Sequence, residues 1–461
     1  MRAGGSTNDF PQAITLAGSS IYMTGAFSSP TCAFGSNTLT NAGNATQDVF
    51  VAKLTDAGST GAFVWAQRGG GSQNDSANGI CVSGPNVYIA GSCSGLDVVF
   101  GTTTVAGGGF AAKLVDAGAS AAFAWAQRTG ASANAVAVGS GGVYLVGNFV
   151  SSTAVFGATT LTNAGGNDVF VAKLTDSGTG ATFPWAVRAG GAGVEAGFGV
   201  AVSGTDVYIT GSFASSTCTF GTSTLLNAGG QDAYVAKLTD SGSSGAFVWA
   251  DRLGGTGNDY GFALAVQGPN VYVSGSFSSP TADAGATTLV NAGTGYDLFL
   301  ARLTNAGLSG GIAWALRAGG AGNDYAGSPA VIGTGVYLGG SVAPPASFGS
   351  LPVMGTSASV GFLASLNDAT ALATNTLFEK SQWGLSPNPA HSSTCIVVPQ
   401  AIVGLKGALI ISDALGRQVR SELMLSLPSA VPLAVSGLPR GLYFVRLVVP
   451  GQTLTQRLLL D

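Results

Sequence analysis

DVFVAKLTDSGTGATFPWAVRAGG, residues 168–191, decides the fold of this chain. It reads as an apolar run, a turn and a second apolar run closed by Trp185-Ala186-Val187-Arg188. Near copies stand at 48–70, 232–255 and 297–320, and a degenerate copy ends at Trp125-Ala126-Gln127-Arg128. The tryptophans Trp65, Trp125, Trp185, Trp249 and Trp314 are spaced 60, 60, 64 and 65 residues apart. A fixed period of this kind marks a repeat architecture, in which each unit buries its apolar faces against its neighbours.

Outward from this stretch, the arginine after each tryptophan delimits six units, at Arg2, Arg68, Arg128, Arg188, Arg252 and Arg317. Each unit carries four strand signals, seen at 198–202, 207–213, 232–238 and 247–252, with a short hairpin insert at 220–225. Ser203-Gly204-Thr205-Asp206 and the repeated Asp-x-Gly at Asp56, Asp116, Asp176 and Asp240 supply the turns. Within 168–176, Phe170, Ala172 and Leu174 face one way while Val169 and Val171 face the other, so both faces of the sheet must be covered. The pattern predicts an all-β fold: over residues 1–372, a β-propeller of about six four-stranded blades, with more in a longer protein. The sixth unit has no tryptophan strand in the usual place. Its fourth strand is expected at 372–379 or from the amino end.

After Trp383 the pattern stops. Residues 373–389 read as a linker, and residues 390–461 as a small β-sandwich with strands at 408–412, 430–435, 442–449 and 453–459. Only 9% of the 461 residues are charged and 46% are hydrophobic, which argues for a large core and against disorder. A net charge of −4 without a basic block disfavours nucleic acid, and no apolar stretch is long enough to span a membrane. Met1-Arg2-Ala3-Gly4-Gly5 lacks the apolar core of a signal peptide and aligns with Leu316-Arg317-Ala318-Gly319-Gly320, so the expectation is a lost amino end. The five cysteines form no framework and read as small buried hydrophobes.

Chemistry has few footholds. His391, in the linker, is the one histidine, so the repeats hold neither a histidine-based metal site nor a Ser-His-Asp triad. Two sets of acids recur: Asp9, Asp75, Glu195, Asp259 and Asp324, then Asp48, Asp168, Asp232 and Asp297. The expectation is that they cap turn amides or pair with the repeated arginines. Calcium is the one cofactor the pattern admits, and no catalytic residue is assigned. The repeated Tyr22, Tyr88, Tyr144, Tyr208, Tyr272 and Tyr337 are read as packing residues rather than a carbohydrate-stacking ring.

Units of the form Val-Tyr-Ile-Thr-Gly-Ser-Phe, then Asp-x-Phe-Val-Ala-Lys-Leu, then Trp-Ala-x-Arg resemble the β-propeller repeats of secreted bacterial surface proteins. Gly108 and Val360 depart from the strand-opening aspartate. The tail resembles the type A sorting domain of the type IX secretion system. The residues that carry the likeness are Pro387, Asn388 and Pro389, then Asp413, Gly416 and Arg417, then Leu438, Gly441 and Tyr443. That resemblance implies cargo of the type IX machinery, secreted or held on the outer surface of a Gram-negative bacterium. The expectation is a non-enzymatic module presenting a binding or adhesion surface to an extracellular protein or glycan. A propeller-based lyase or glycosidase is the alternative.

Overall fold

The structure is a computed structural model that describes residues 2–43, 45–368, 384–386, 388–391, 393–398, 403–413, 417–449 and 452–460. Every regular element among them is a β-strand, and no helix is long and apolar enough to cross a membrane. The chain divides into two compact units, Met1–Ala373 and Thr374–Asp461.

In the larger unit, the opening stretch forms half of an antiparallel meander whose strands are Ala133–Gly139, Gly142–Phe149, Asp168–Asp176 and Ala181–Ala189, paired in chain order. Alternating β-branched and aromatic residues suit them to a sheet buried on both faces. The third and fourth strands are joined by the Asp-x-Gly turn, where Asp176 Oδ1 accepts the Gly178 amide at 2.8 Å. Gly178 sits at φ 94°, a conformation that other residues adopt only with strain. The four-stranded meander occurs five times. The sixth repeat shows three strands, Tyr325–Ile332, Gly335–Val342 and Val360–Asn367. The fourth strand expected at 372–379 lies outside the described residues, as does Met1.

The hairpin insert stitches neighbouring repeats. In three repeats it adds not to its own meander but to the end of the preceding repeat's fourth strand, as in Val99↔Gly70, Gly254↔Asp283 and Ala318↔Phe348. Ala3 and Gly4 make the same contact with the first hairpin, opposite Phe34 and Ala33.

Alternation along the strands divides the core between neighbours. Phe170, Ala172 and Leu174 pack with Tyr88, Ala90 and Trp125 of the repeat before, whereas Val169 and Val171 pack with Val207 and Ile209 of the repeat after. Burying a side chain of this size stabilises by about 1.5–3 kcal/mol, so each repeat leans on both neighbours. The terminal repeats show the converse. Ile14 is 65% exposed, although its counterparts Ile80 and Val136 are 7% exposed. Beside Val360–Asn367, an edge strand among the described residues, Phe348, Leu351, Phe362 and Leu366 line an apolar groove of about 580 Å³.

The smaller unit holds two antiparallel sheets over one core. Gly384–Ser386, Ser393–Val397 and Ala430–Ala434 form the first; Gln418–Met424, Gly407–Asp413, Gly441–Val449 and Gln452–Leu460 form the second. Residues 384–386, expected within the linker, are a strand of this unit. A run of three residues has too little alternation to register as a strand by sequence.

Candidate functional sites

The most repeated polar arrangement joins one repeat to the next. Tyr144, Lys173 and Trp185 occupy the second, third and fourth strands of the third repeat, and cross-strand register brings them together. All three converge on Asp240 in the Asp-x-Gly turn of the following repeat. The distances are 2.7 Å from the tyrosine hydroxyl, 2.6 Å from the lysine Nζ and 2.9 Å from the indole Nε1. Tyr22, Lys53 and Trp65 meet Asp116 in the same way, as do Tyr88, Lys113 and Trp125 with Asp176. Burial works against these carboxylates. Hydrogen bonds led by the lysine outweigh it, holding Asp176 and Asp240 at about 2. Sequence reasoning took these aspartates for turn residues alone. The signal it passed over was that a Tyr, a Lys, a turn Asp and a Trp recur together at matching positions in the first four repeats.

The junction between the fourth and fifth repeats is built differently. Asn305 replaces the turn aspartate, and Lys237 pairs instead with Asp206 at 2.8 Å. Trp249 Nε1 is left buried without a hydrogen-bond partner.

Both recurrent acid sets are engaged within the fold. Asp48, Asp168, Asp232 and Asp297 pair with Arg68, Arg188, Arg252 and Arg317 at 2.6–3.0 Å. Each also accepts a loop amide, as Asp168 does from Ala164. Asp75, Glu195, Asp259 and Asp324 accept the amides of Gly71, Gly191, Gly255 and Gly320, and Asp9 that of Gly5. Burial raises Asp75 to about 6 against two amide hydrogen bonds, with Asp48 and Asp97 adding to the rise. The glycine pair before each of these acids has a steric cause. Gly70 lies at φ 147°, and a Cβ there would meet Asp48 Oδ1 at 2.4 Å. Among the described residues, no three metal-ligating side chains gather in one place.

One patch breaks the repeat symmetry, and sequence reasoning missed it. Each first strand has an irregularity near its start, and the displaced residue is Gln12, Asn78, Asn134, Phe198 or Phe262 in repeats one to five. Asn78 and Asn134 donate to carbonyls of the next repeat; Phe198 and Phe262 instead meet each other at 6.2 Å between ring centroids. Tyr260 lies parallel to Phe262 at 5.9 Å, and Tyr296 follows at 6.0 Å and Tyr325 at 5.9 Å. Tyr296 stands where other repeats have Gln47, Asn167 and Gln231, whose carbonyls likewise accept the amide of the next strand's opening acid. Phe198, Tyr260, Phe262 and Tyr296 are half-buried and Tyr325 is exposed. The readable signal was substitution of aromatic for polar residues at two repeat positions, with Tyr260 and Tyr325 at a third that varies among the repeats.

In the smaller unit, three separated sequence motifs come together at one end of the four-stranded sheet. Asp413 pairs across strands with Tyr443, which pairs in turn with Leu458. Arg417 donates from Nε to the Asp413 carboxylate at 2.8 Å. The buried Tyr443 donates its hydroxyl to the Pro439 carbonyl at 2.8 Å, so the chain just after Leu438 is tied to the strand that Gly441 opens. Asn388 accepts the Leu459 amide and donates to the Arg457 carbonyl, which brings the exposed Asn388-Pro389 beside the last strand. Pro387 and Gly416 lie outside the described residues.

Residues 385–461 match the family model described as "Secretion system C-terminal sorting domain". This segment marks the chain for secretion to the cell surface or extracellular space and for contact with the secretion machinery. No curated protein matches the chain. Among solved structures, dimeric latent PorU from Porphyromonas gingivalis is matched at 12% identity with a TM-score of 0.15; the match covers 69% of this chain and 29% of that one.

Proposed function

We propose that this chain is a non-enzymatic, exported binding protein. Its residues 1–372 form a β-propeller of about six blades that presents a binding or adhesion surface to an extracellular protein or glycan. Its terminal domain, a small β-sandwich, delivers it through the type IX machinery. The observation that carries the reading is the difference between the two polar systems of the repeats. The recurrent carboxylates are occupied by amides, arginines, lysines and indoles of their own or adjacent repeats. The aromatic rings from Phe198 to Tyr325 instead form a single partly exposed patch. Catalysis by a paired-carboxylate glycosidase requires two acids free to exchange protons with substrate. Asp259 and Asp324, which immediately precede Tyr260 and Tyr325, are buried and saturated by amide or serine donors.

Two measurements test this function. Electron-microscopic class averages of the purified chain are expected to show a ring of wedge-shaped units. Incubation with extracellular polysaccharides is expected to release no new reducing or unsaturated ends. An open, non-annular array would refute the propeller, and catalytic cleavage of a polysaccharide would replace binding with the lyase or glycosidase alternative.

A further inference from the structure

We infer that the aromatic ladder Phe198, Phe262, Tyr260, Tyr296 and Tyr325 is a binding site for a neutral polysaccharide chain. The inference rests on reading residues 1–372 as a binding module and names its ligand class. The ladder runs through three consecutive repeats with centroid steps of 5.9–6.2 Å. Steps of this size suit successive sugar rings, whose C–H faces stack on aromatic π-faces while their hydroxyls bond to polar groups at the ring edges. Tyr260, Tyr296 and Tyr325 supply phenolic hydroxyls along the ladder. Asn323, whose side-chain oxygen accepts the Tyr296 amide, and the exposed Asn258 flank it.

Electrostatics selects among ligands that stack. The strands Glu195–Ser203, Asp259–Gln267 and Tyr325–Ile332, and the segment 291–296, contain no lysine or arginine. A single-stranded nucleic acid or an anionic glycan would find stacking surfaces without the cations its charge requires. The acids of these strands, Glu195 and Asp259, are buried and accept hydrogen bonds from within the fold, so they do not repel an uncharged chain. Phe198, Phe262 and Tyr296, left partly exposed at positions that other repeats fill with asparagine or glutamine, also carry a solvation cost, which stacking with a ligand would relieve.

Affinity electrophoresis of the full chain through gels containing hydroxyethyl cellulose, laminarin, xylan or mannan tests the inference. At least one polymer is expected to retard the chain, and Tyr325→Ala or Tyr296→Ala to weaken that retardation roughly tenfold each. Tyr296→Phe keeps the ring and should retain most of the affinity. Gln231→Ala, at the matching position one repeat earlier, should leave it unchanged. Tyr325 is exposed, so its variant remains informative if the one at Tyr296 misfolds. Three outcomes overturn the inference: no retardation by any of the four polymers, retardation indifferent to Tyr325→Ala and Tyr296→Ala, or a ladder that binds a proline-rich peptide or single-stranded DNA instead. A ring-shaped, exported chain that none of the polymers retards would refute the glycan site while leaving the binding module standing.

Discussion

Moving a carboxylate from one side of Lys237 to the other probes how the repeats are held together. In the fourth repeat, Lys237 is 6% exposed and pairs with Asp206 at 2.8 Å, because Asn305 stands where other junctions place an aspartate. Asp206→Asn removes the carboxylate paired with this buried cation. The expected loss is about 3 kcal/mol, the low end for breaking a buried ion pair, since Asn305 Oδ1 and the Gly307 carbonyl still accept from the ammonium. Asn305→Asp in the Asp206→Asn background recreates the arrangement seen at Asp240, returning a partner to Lys237 and giving Trp249 Nε1 an acceptor it lacks. Stability should come back to within about 1 kcal/mol of the parent. Urea unfolding followed by tryptophan fluorescence reads this as a lowered and then restored midpoint at constant slope. An unchanged midpoint in Asp206→Asn, or no recovery in the double variant, would refute the inter-repeat carboxylate as a structural element.

Stability is also expected to depend on pH from both sides. Asp176 and Asp240, held at about 2, stabilise the fold at higher pH, and that contribution is lost as pH falls from about 4 towards 2. Asp75 runs the other way: at about 6 in the fold, it binds a proton that the unfolded chain has released, so stability declines as pH rises from about 4 to 6. Burial also raises Asp48, Asp232, Asp259 and Asp297, in the same direction as Asp75. Unfolding midpoints between pH 3 and 8 should therefore peak below neutrality; a steady increase up to pH 7 would contradict these assignments. Asp48, Asp168, Asp232 and Asp297 keep a buried Oδ1 without a hydrogen-bond partner, but each already pairs with an arginine through the same carboxylate, so a calcium chelator is expected to leave the melting temperature unchanged. A clear drop would reinstate calcium.

Period and alternation made the strands legible. The two apolar faces follow from the 2-residue alternation within a repeat, and the repetition from the 60- to 65-residue spacing between successive tryptophans. Contacts between repeats were harder to read. Asp240 and Lys173 are 67 residues apart, and only the packing of one sheet on the next turns a turn aspartate into an acceptor for three buried donors. The aromatic ladder was hidden for a related reason: its members belong to different strands and different repeats, and it was the displaced residue of the first strand that brought Phe198 against Phe262. In the smaller unit, the motif residues were visible as sequence, but their meeting at one sheet end depends on the register of Asp413, Tyr443 and Leu458. Residues 384–386 read as linker by sequence because three residues are too few to show a period.

Cell fractionation tests the account most directly. In a bacterium that carries the type IX machinery, the chain with an export signal is compared with the same chain lacking residues 384–461. The intact chain is expected at the cell surface or in the medium, and the shortened chain in the periplasm, folded and with its tryptophans still buried. Equal export of both chains would contradict the assignment of delivery to the terminal domain.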